Sequence, residues 1–254
     1  MKPKSDNLFH FTSRLDYLKS ILDKGLQPRI CQEDISFLNG KEKFLSVPMV
    51  CFCDIPISRL NDHTDFYGSY GVGLTRNWAE KNEVHPISYT SNSGPLADTS
   101  RFLLSKFLEM KASNTGLMVL DNDLQKDLKD YQQKIKRLMA FSKPYRGKQK
   151  KHSTGREEKK TFFEENEWRF VPHDYVFNDL SGKPERFESQ NDLHSANPLK
   201  FEPEDIRYIF VKSETEINEI FDFVLKKYKK NPDQSKVKNL LTRITCLESI
   251  GKDL

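Results

Sequence analysis

The feature that most constrains this chain is the irregular way strand-like and helix-like segments interrupt one another. Short β-branched and aromatic runs at 8–12, 48–56, 70–74, 84–89, 167–172, 206–211 and 240–247 read as strands. Helical patterns fall between some of them and not others. The first follows Ser13, an N-cap with Asp16 three residues on, and turns Leu15, Leu18, Ile21 and Leu22 to one face before Gly25. Thr75 caps a short helix carrying Trp78. A helical pair covers 99–112, with Phe102, Leu103, Phe107, Leu108 and Met110, and 122–141, with an apolar stripe of Leu124, Leu128, Tyr131, Ile135 and Leu138. Ser213-Glu214-Thr215-Glu216 is a capping box ahead of Ile217, Ile220, Phe221, Val224 and Leu225. Strict β-α alternation would give a doubly wound sheet; this order predicts an α+β fold. We expect one domain over 1–254, with a helical insertion at about 98–142 and a basic loop at about 143–160.

Charge is uneven. Twelve Lys or Arg against three acids between 129 and 160 make that stretch +9, although the whole chain is only +4, so the remainder is negative. Lys143, Arg146, Lys148, Lys150 and Lys151 are the candidates there for phosphate-backbone contact, the alternative being a solvated loop. No window approaches the roughly 18 consecutive apolar residues of a membrane span, and the N-terminus lacks the apolar stretch of a signal peptide, so a cytoplasmic protein without membrane contact is expected. The four cysteines read as reduced structural thiols.

Common catalytic motifs are absent: no Walker loop, no Gly-x-Gly-x-x-Gly after a strand, no Gly-x-Ser-x-Gly elbow, no His-Glu-x-x-His or Cys-x-x-Cys. The six histidines are scattered, so no metal is expected. Residues worth weighing are His10, Thr12, the Tyr67-Gly68-Ser69-Tyr70-Gly71 turn, Glu165 and Glu167. Glu167 shares a strand face with Arg169, opposite Trp168, so a plain ion pair competes with any chemical role. His63 and Asp62 are candidates for loop structure or substrate contact, and Asp54 for capping a turn.

Three segments carry a resemblance: Leu8-Phe9-His10-Phe11-Thr12 with the helix after it; the stretch 48–74, with Pro-Met-Val-Cys-Phe-Cys-Asp-Ile-Pro and a His ahead of Tyr-Gly-x-Tyr-Gly; and Glu165-Asn166-Glu167-Trp168-Arg169. Together they resemble the AbiGi family of abortive phage-resistance proteins. The layout is also similar to the ADP-ribosyltransferase superfamily, in its His-Tyr-Glu branch and DarT-like toxins. That second resemblance implies a split mixed or antiparallel sheet and NAD as substrate. It implies His10 on a ribose hydroxyl, Tyr67 or Tyr70 stacked on nicotinamide, and Glu167 as the acid, with Thr12 and Gly71 beside the cofactor. The residue types suit such chemistry, since a carboxylate stabilises the positive charge developing at an anomeric carbon and an aromatic face stacks on a cationic ring. Two functions follow. The leading one is ADP-ribosyl transfer to a macromolecule, RNA or single-stranded DNA favoured by the basic stretch. The other is a catalytically silent antitoxin-like protein that binds a cognate partner.

Overall fold

The structure, a computed structural model, describes residues 6–35, 44–91, 93–114, 122–151, 154–173 and 197–253. The side chains of Phe107, Leu108, Met110 and Leu124 lie outside the described residues. The strands are β1 (Asn7–Thr12), β2 (Arg29–Asp34), β3 (Phe44–Cys53), β4 (Tyr70–Thr75), β5 (His85–Pro86), β6 (Ser88–Thr90), β7 (Ser142–Pro144), β8 (Arg146–Lys150), β9 (Glu157–Thr161), β10 (Glu167–Phe170), β11 (Ile206–Val211) and β12 (Ile244–Cys246). The helices are α1 (Leu15–Lys24), α2 (Leu60–Tyr67), α3 (Arg76–Lys81), α4 (Pro95–Asn114), α5 (Asn122–Ala140), α6 (Ile217–Lys227), α7 (Gln234–Leu241) and α8 (Leu247–Asp253).

The α+β expectation holds, with a mixed sheet of eight strands. Its order is β12-β11-β4-β1-β3-β10-β5, with β2 paired to β3. Only β11 and β12 run parallel; the other pairings in this sheet are antiparallel. In its middle the sheet divides. β1 and β3 meet at a single register pair, Phe9 with Cys53, while β1 and β4 share six.

Period-two alternation sorts the side chains into separate cores. Leu8, Val72, Leu74, Val50, Phe52, Ile206, Ile209 and Val211 face one way and bury the apolar faces of α1, α3, α6 and α7, through Leu18, Leu22, Trp78, Ala79, Ile220, Val224, Val237 and Leu240. Phe9, Phe11, Cys53 and Phe210 face the other way, against Ile55, Leu60 and Leu247. Each buried Leu or Ile contributes about 1.5–3 kcal/mol by leaving water. A third cluster packs Ile135, Met139 and Ala140 of α5 on Leu45, Val47 and Met49 of β3. Here Met139, and not the expected Leu138, turns inward, and Leu138 is 53% exposed. The helix keeps a 3.6-residue period, which drifts past the seven-residue stripe read from the sequence.

Local signals explain the boundaries. Gly25 ends α1 at φ 92°, with its N–H on the Ile21 carbonyl. Thr75 caps α3 by accepting from the Trp78 N–H at 3.2 Å. The Ser213–Glu216 capping box forms ahead of α6. Ser13 does not cap α1; Arg14 occupies that position in extended conformation, without a side-chain cap. The expected basic loop is built instead as β7 and a β8–β9 hairpin. The expected strand at 240–247 is the end of α7, the short β12 and the start of α8.

Candidate functional site

Where β1 leaves β3, a cavity of about 630 Å³ opens. One wall carries His10, Thr12 and Ser13 with Tyr17, Ser20 and Ile21 of α1; the other carries His63, Tyr67, Lys143, Gln149, Glu165 and Glu167. The walls belong to opposite faces of the sheet. His10 alternates onto the face of Leu8 and Phe52, whose ring it meets edge-on at 5.8 Å. Glu167 sits opposite Cys53 in the β3–β10 register and takes the other face.

His10 bridges the divide. Its Nδ1 lies 2.8 Å from the Cys51 carbonyl oxygen. A carbonyl only accepts, so Nδ1 carries the proton and Nε2 keeps a lone pair. Burial lowers the imidazole pKa, outweighing the support of that hydrogen bond, so the ring is held neutral. On the other side of β1, Gly71 lets β4 pack close, because a Cβ there would lie 2.6 Å from the His10 carbonyl oxygen and 2.7 Å from the Phe11 ring. Gly68, at φ 102°, likewise ends α2 directly against the backbone of Thr12 and Ser13.

On the opposite wall three acids and three bases form one chain of contacts. Arg169, fully buried, gives Nε to Glu167 Oε1 at 2.6 Å, Nη2 to Glu33 Oε2 at 2.8 Å and Nη1 to the Ala140 carbonyl at 2.6 Å. Lys143 Nζ reaches Glu167 Oε2 at 2.8 Å and Glu165 Oε2 at 3.2 Å. Lys160 lies 2.5 Å from Glu165 Oε1, its ammonium over the rings of Phe66 and Tyr67. Tyr67 donates its hydroxyl to Glu165 Oε1 at 2.5 Å. Burial alone would raise the pKa values of Glu165 and Glu167, but Lys143 acts on both, with Lys160 beside Glu165 and Arg169 beside Glu167. Both stay below the ordinary carboxylate range. Burial opposes the charge on Lys143, yet Glu167 and Glu165 outweigh it and hold its pKa up. Burial keeps the Tyr67 phenol protonated, hence a donor.

Asn166 lets adjacent elements aim both glutamates one way. It takes the left-handed conformation at φ 45°, and its amide donates to Asp54 Oδ2 at 3.0 Å and to the Asp54 carbonyl at 3.2 Å. Asp54 thus holds a turn, and Arg76 pairs with it at 2.8 Å while lying over the Trp168 ring.

Sequence candidates divide accordingly. His10, Thr12, Tyr67, Glu165, Glu167 and His63 line the cavity; Tyr70, Gly71 and Asp62 do not. The Tyr70 hydroxyl donates to Glu216 Oε1 at 2.7 Å, tying β4 to the start of α6. Among the basic candidates Lys143 turns inward onto the two glutamates, because it sits on β7 beneath the cavity and not in a loop. Lys151 pairs with Asp65 and Glu158, while Arg146, Lys148 and Lys150 project outward. The role of Lys143 and Lys160 as counter-ions escapes sequence reading; the aromatic neighbours Phe141 and Phe162 are the only local hint of burial. Among the described residues no group of three or more His, Cys, Asp or Glu could hold a metal ion, and no helix is long and apolar enough to cross a membrane.

Residues 24–212 match the family described as "Putative abortive phage resistance protein AbiGi, antitoxin". The chain is 28% identical over 253 residues to "Abortive phage resistance protein AbiGi" of Lactococcus lactis subsp. cremoris, covering 89% of this chain and 98% of that protein. No solved structure matches, so the expected ADP-ribosyltransferase fold has no structural neighbour behind it.

Proposed function

The chain belongs to the AbiGi family, and from that premise we propose that it serves abortive phage resistance as an antitoxin-like protein that binds a cognate toxin and does no chemistry of its own. One observation carries the second half of this reading. Glu167, the carboxylate an ADP-ribosyl transfer would need, is buried with Oε1 bonded to Arg169 and Oε2 to Lys143. A carboxylate saturated by two cations makes a poor stabiliser of a third positive centre, since its field is already cancelled. His10 approaches from the opposite face of the sheet, with its Nδ1 committed to the Cys51 carbonyl. For the first half, the family description supplies the antitoxin role. The helical pair supplies apolar surface of the kind partners cover: Leu96 and Phe102 on α4 and Leu138 on α5 are all more than half exposed.

The test is co-expression of the tagged chain with the product of its neighbouring gene, alongside calorimetric titration with NAD. We expect a stable complex, rescue of growth, and neither NAD binding nor turnover. NAD turnover that disappears in a folded Glu167→Gln variant overturns the proposal. The transferase reading retains one observation in its favour, that His10, Tyr67 and Glu167 line the same cavity. In it NAD is the substrate, with His10 on the ribose, Tyr67 on the nicotinamide and Glu167 as the acid.

A further inference from the structure

The β8–β9 hairpin puts its cations on two faces, only one of which the buried network uses. In the register Arg146–Thr161, Lys148–Lys159 and Lys150–Glu157 face outward, while Gly147–Lys160 and Gln149–Glu158 alternate to the other side. The outer face therefore carries four cations and one acid. Glu157 is engaged, 3.4 Å from Lys148. Arg146, Lys150 and Lys159 are exposed and have no ion pair among the described residues. Lys148 and Lys159 stand directly across the hairpin from each other, a like-charge pairing that weakens a two-stranded ribbon.

Beside this face lie two exposed aromatic rings. Tyr145 and Phe163 are stacked at 5.5 Å and 27°, and Phe163 is 49% exposed. Tyr89 braces Phe163 edge-on at 5.5 Å, and the Arg146 guanidinium lies 5.3 Å from the centre of the Tyr145 ring. Large apolar rings held rigid and left in water, next to unpaired cations, fit a ligand with both anionic and planar apolar parts. Alternate residues on a strand recur every ~6.7 Å, comparable to the phosphate spacing of an extended single strand.

We propose that the outer face of the β8–β9 hairpin, Arg146, Lys148, Lys150 and Lys159 with Tyr145 and Phe163, is a docking surface for single-stranded nucleic acid. The cations follow the phosphates, and unpaired bases stack at the aromatic pair. A duplex satisfies only half of this chemistry, because its base faces are already covered. An acidic protein would satisfy the cations and leave the rings unexplained. The proposal is independent of the toxin-binding reading and of the cavity.

The experiment is anisotropy titration of the full chain with a fluorescein-labelled 15-nucleotide RNA, the same sequence as single-stranded DNA, and its DNA duplex, at 50 and 200 mM KCl. Both single strands should bind more tightly than the duplex, and the preferred strand identifies the source. With three or four phosphates neutralised, the fourfold rise in salt should weaken single-strand binding about twenty- to fifty-fold. Charge reversal at Arg146, Lys148 and Lys150 together should weaken it at least tenfold, and Phe163→Ala about fivefold or more. Lys226→Glu, on the exposed side of α6, should change nothing. Unaltered melting curves establish that the exposed variants fold. No single-strand binding at 50 mM KCl overturns the proposal, as does equal binding of duplex with Phe163→Ala silent. Charge reversal that leaves nucleic-acid binding intact but releases a co-purifying protein also overturns it and gives the face to an acidic protein.

Discussion

Two halves of one sheet solve the problem of being buried in opposite ways. Around β4, β1 and β11 the interior is hydrocarbon: Leu8, Leu74, Ile206 and Ile209 are fully buried and need no partner beyond shape. Around β10 and the end of β3 the largest fully buried side chain is Arg169, surrounded by Glu33 and Glu167, with Lys143, Glu165 and Lys160 beyond. The first kind of burial is non-directional and degrades gradually. The second balances desolvation against Coulomb attraction, and removing one member leaves the others exposed to the full cost of an unpaired charge.

The sharpest break is therefore Arg169→Met. It leaves Glu33 and half of Glu167 uncompensated, and urea unfolding should show a loss of about 3–5 kcal/mol. Adding Glu167→Gln should recover part of that loss, which no cavity-forming substitution in the other half could do. Next is Ile209→Ala, expected to cost about 2–4 kcal/mol through lost transfer energy and a residual cavity, unchanged between pH 5 and 8. Acid separates the halves further. Burial pushes His63 down from its ordinary 6.5 to about 4, against the opposing field of Glu165, so between those values the unfolded chain takes up a proton that the folded one refuses. Stability then falls as pH drops through 6.5. The partly open setting of His63 trims the effect to roughly 1–2 kcal/mol by pH 5. Below about 4.5 the lowered Glu165 and Glu167 extend the loss with the same sign, because each is protonated more readily unfolded. Thermal melts from pH 8 to pH 4 would show this, and His63→Phe should flatten part of the upper slope, the remainder belonging to His10, whose pKa burial also lowers. Smallest is Thr75→Ala, which removes one helix cap and should cost about 1 kcal/mol by denaturant midpoint.

The hydrocarbon half was legible in the sequence. Leu8 to Thr12, the stripe of α1 with Gly25, Thr75 before Trp78, and the Ser213 capping box each announce themselves by apolar period or by a cap, and each forms. The charged half was not. β2 reads Arg-Ile-Cys-Gln-Glu-Asp and β8 reads Arg-Gly-Lys-Gln-Lys, strands whose alternation is written in charge instead of apolar residues. Period-two reasoning keyed to hydrophobicity passes over them. The same blindness put Lys143 among the surface cations, although it is the counter-ion between Glu165 and Glu167. Glu167 and Arg169 sharing a face was readable two residues apart, but Glu33, 136 residues away from Arg169, was not. Likewise the tyrosine pair could be found but not sorted: only the turn at Gly68 sends Tyr67 to the cavity and Tyr70 to Glu216.

The lone Phe9–Cys53 pairing has a mechanical consequence. Other boundaries inside the sheet are stitched by several pairs, six between β1 and β4 and four each at β3–β10 and β4–β11. Between β1 and β3 the stitching is one pair plus the His10 side chain on the Cys51 carbonyl. Strain applied to the protein concentrates along that line, where the fewest backbone bonds must be broken, and what resists it there is hydrocarbon: Leu8 against Val50 and Phe52 on one face, Phe9 and Phe11 against Cys53 on the other. The imidazole is then a side-chain tie across that line, the one directional contact added to packing that spans it on both faces of the sheet.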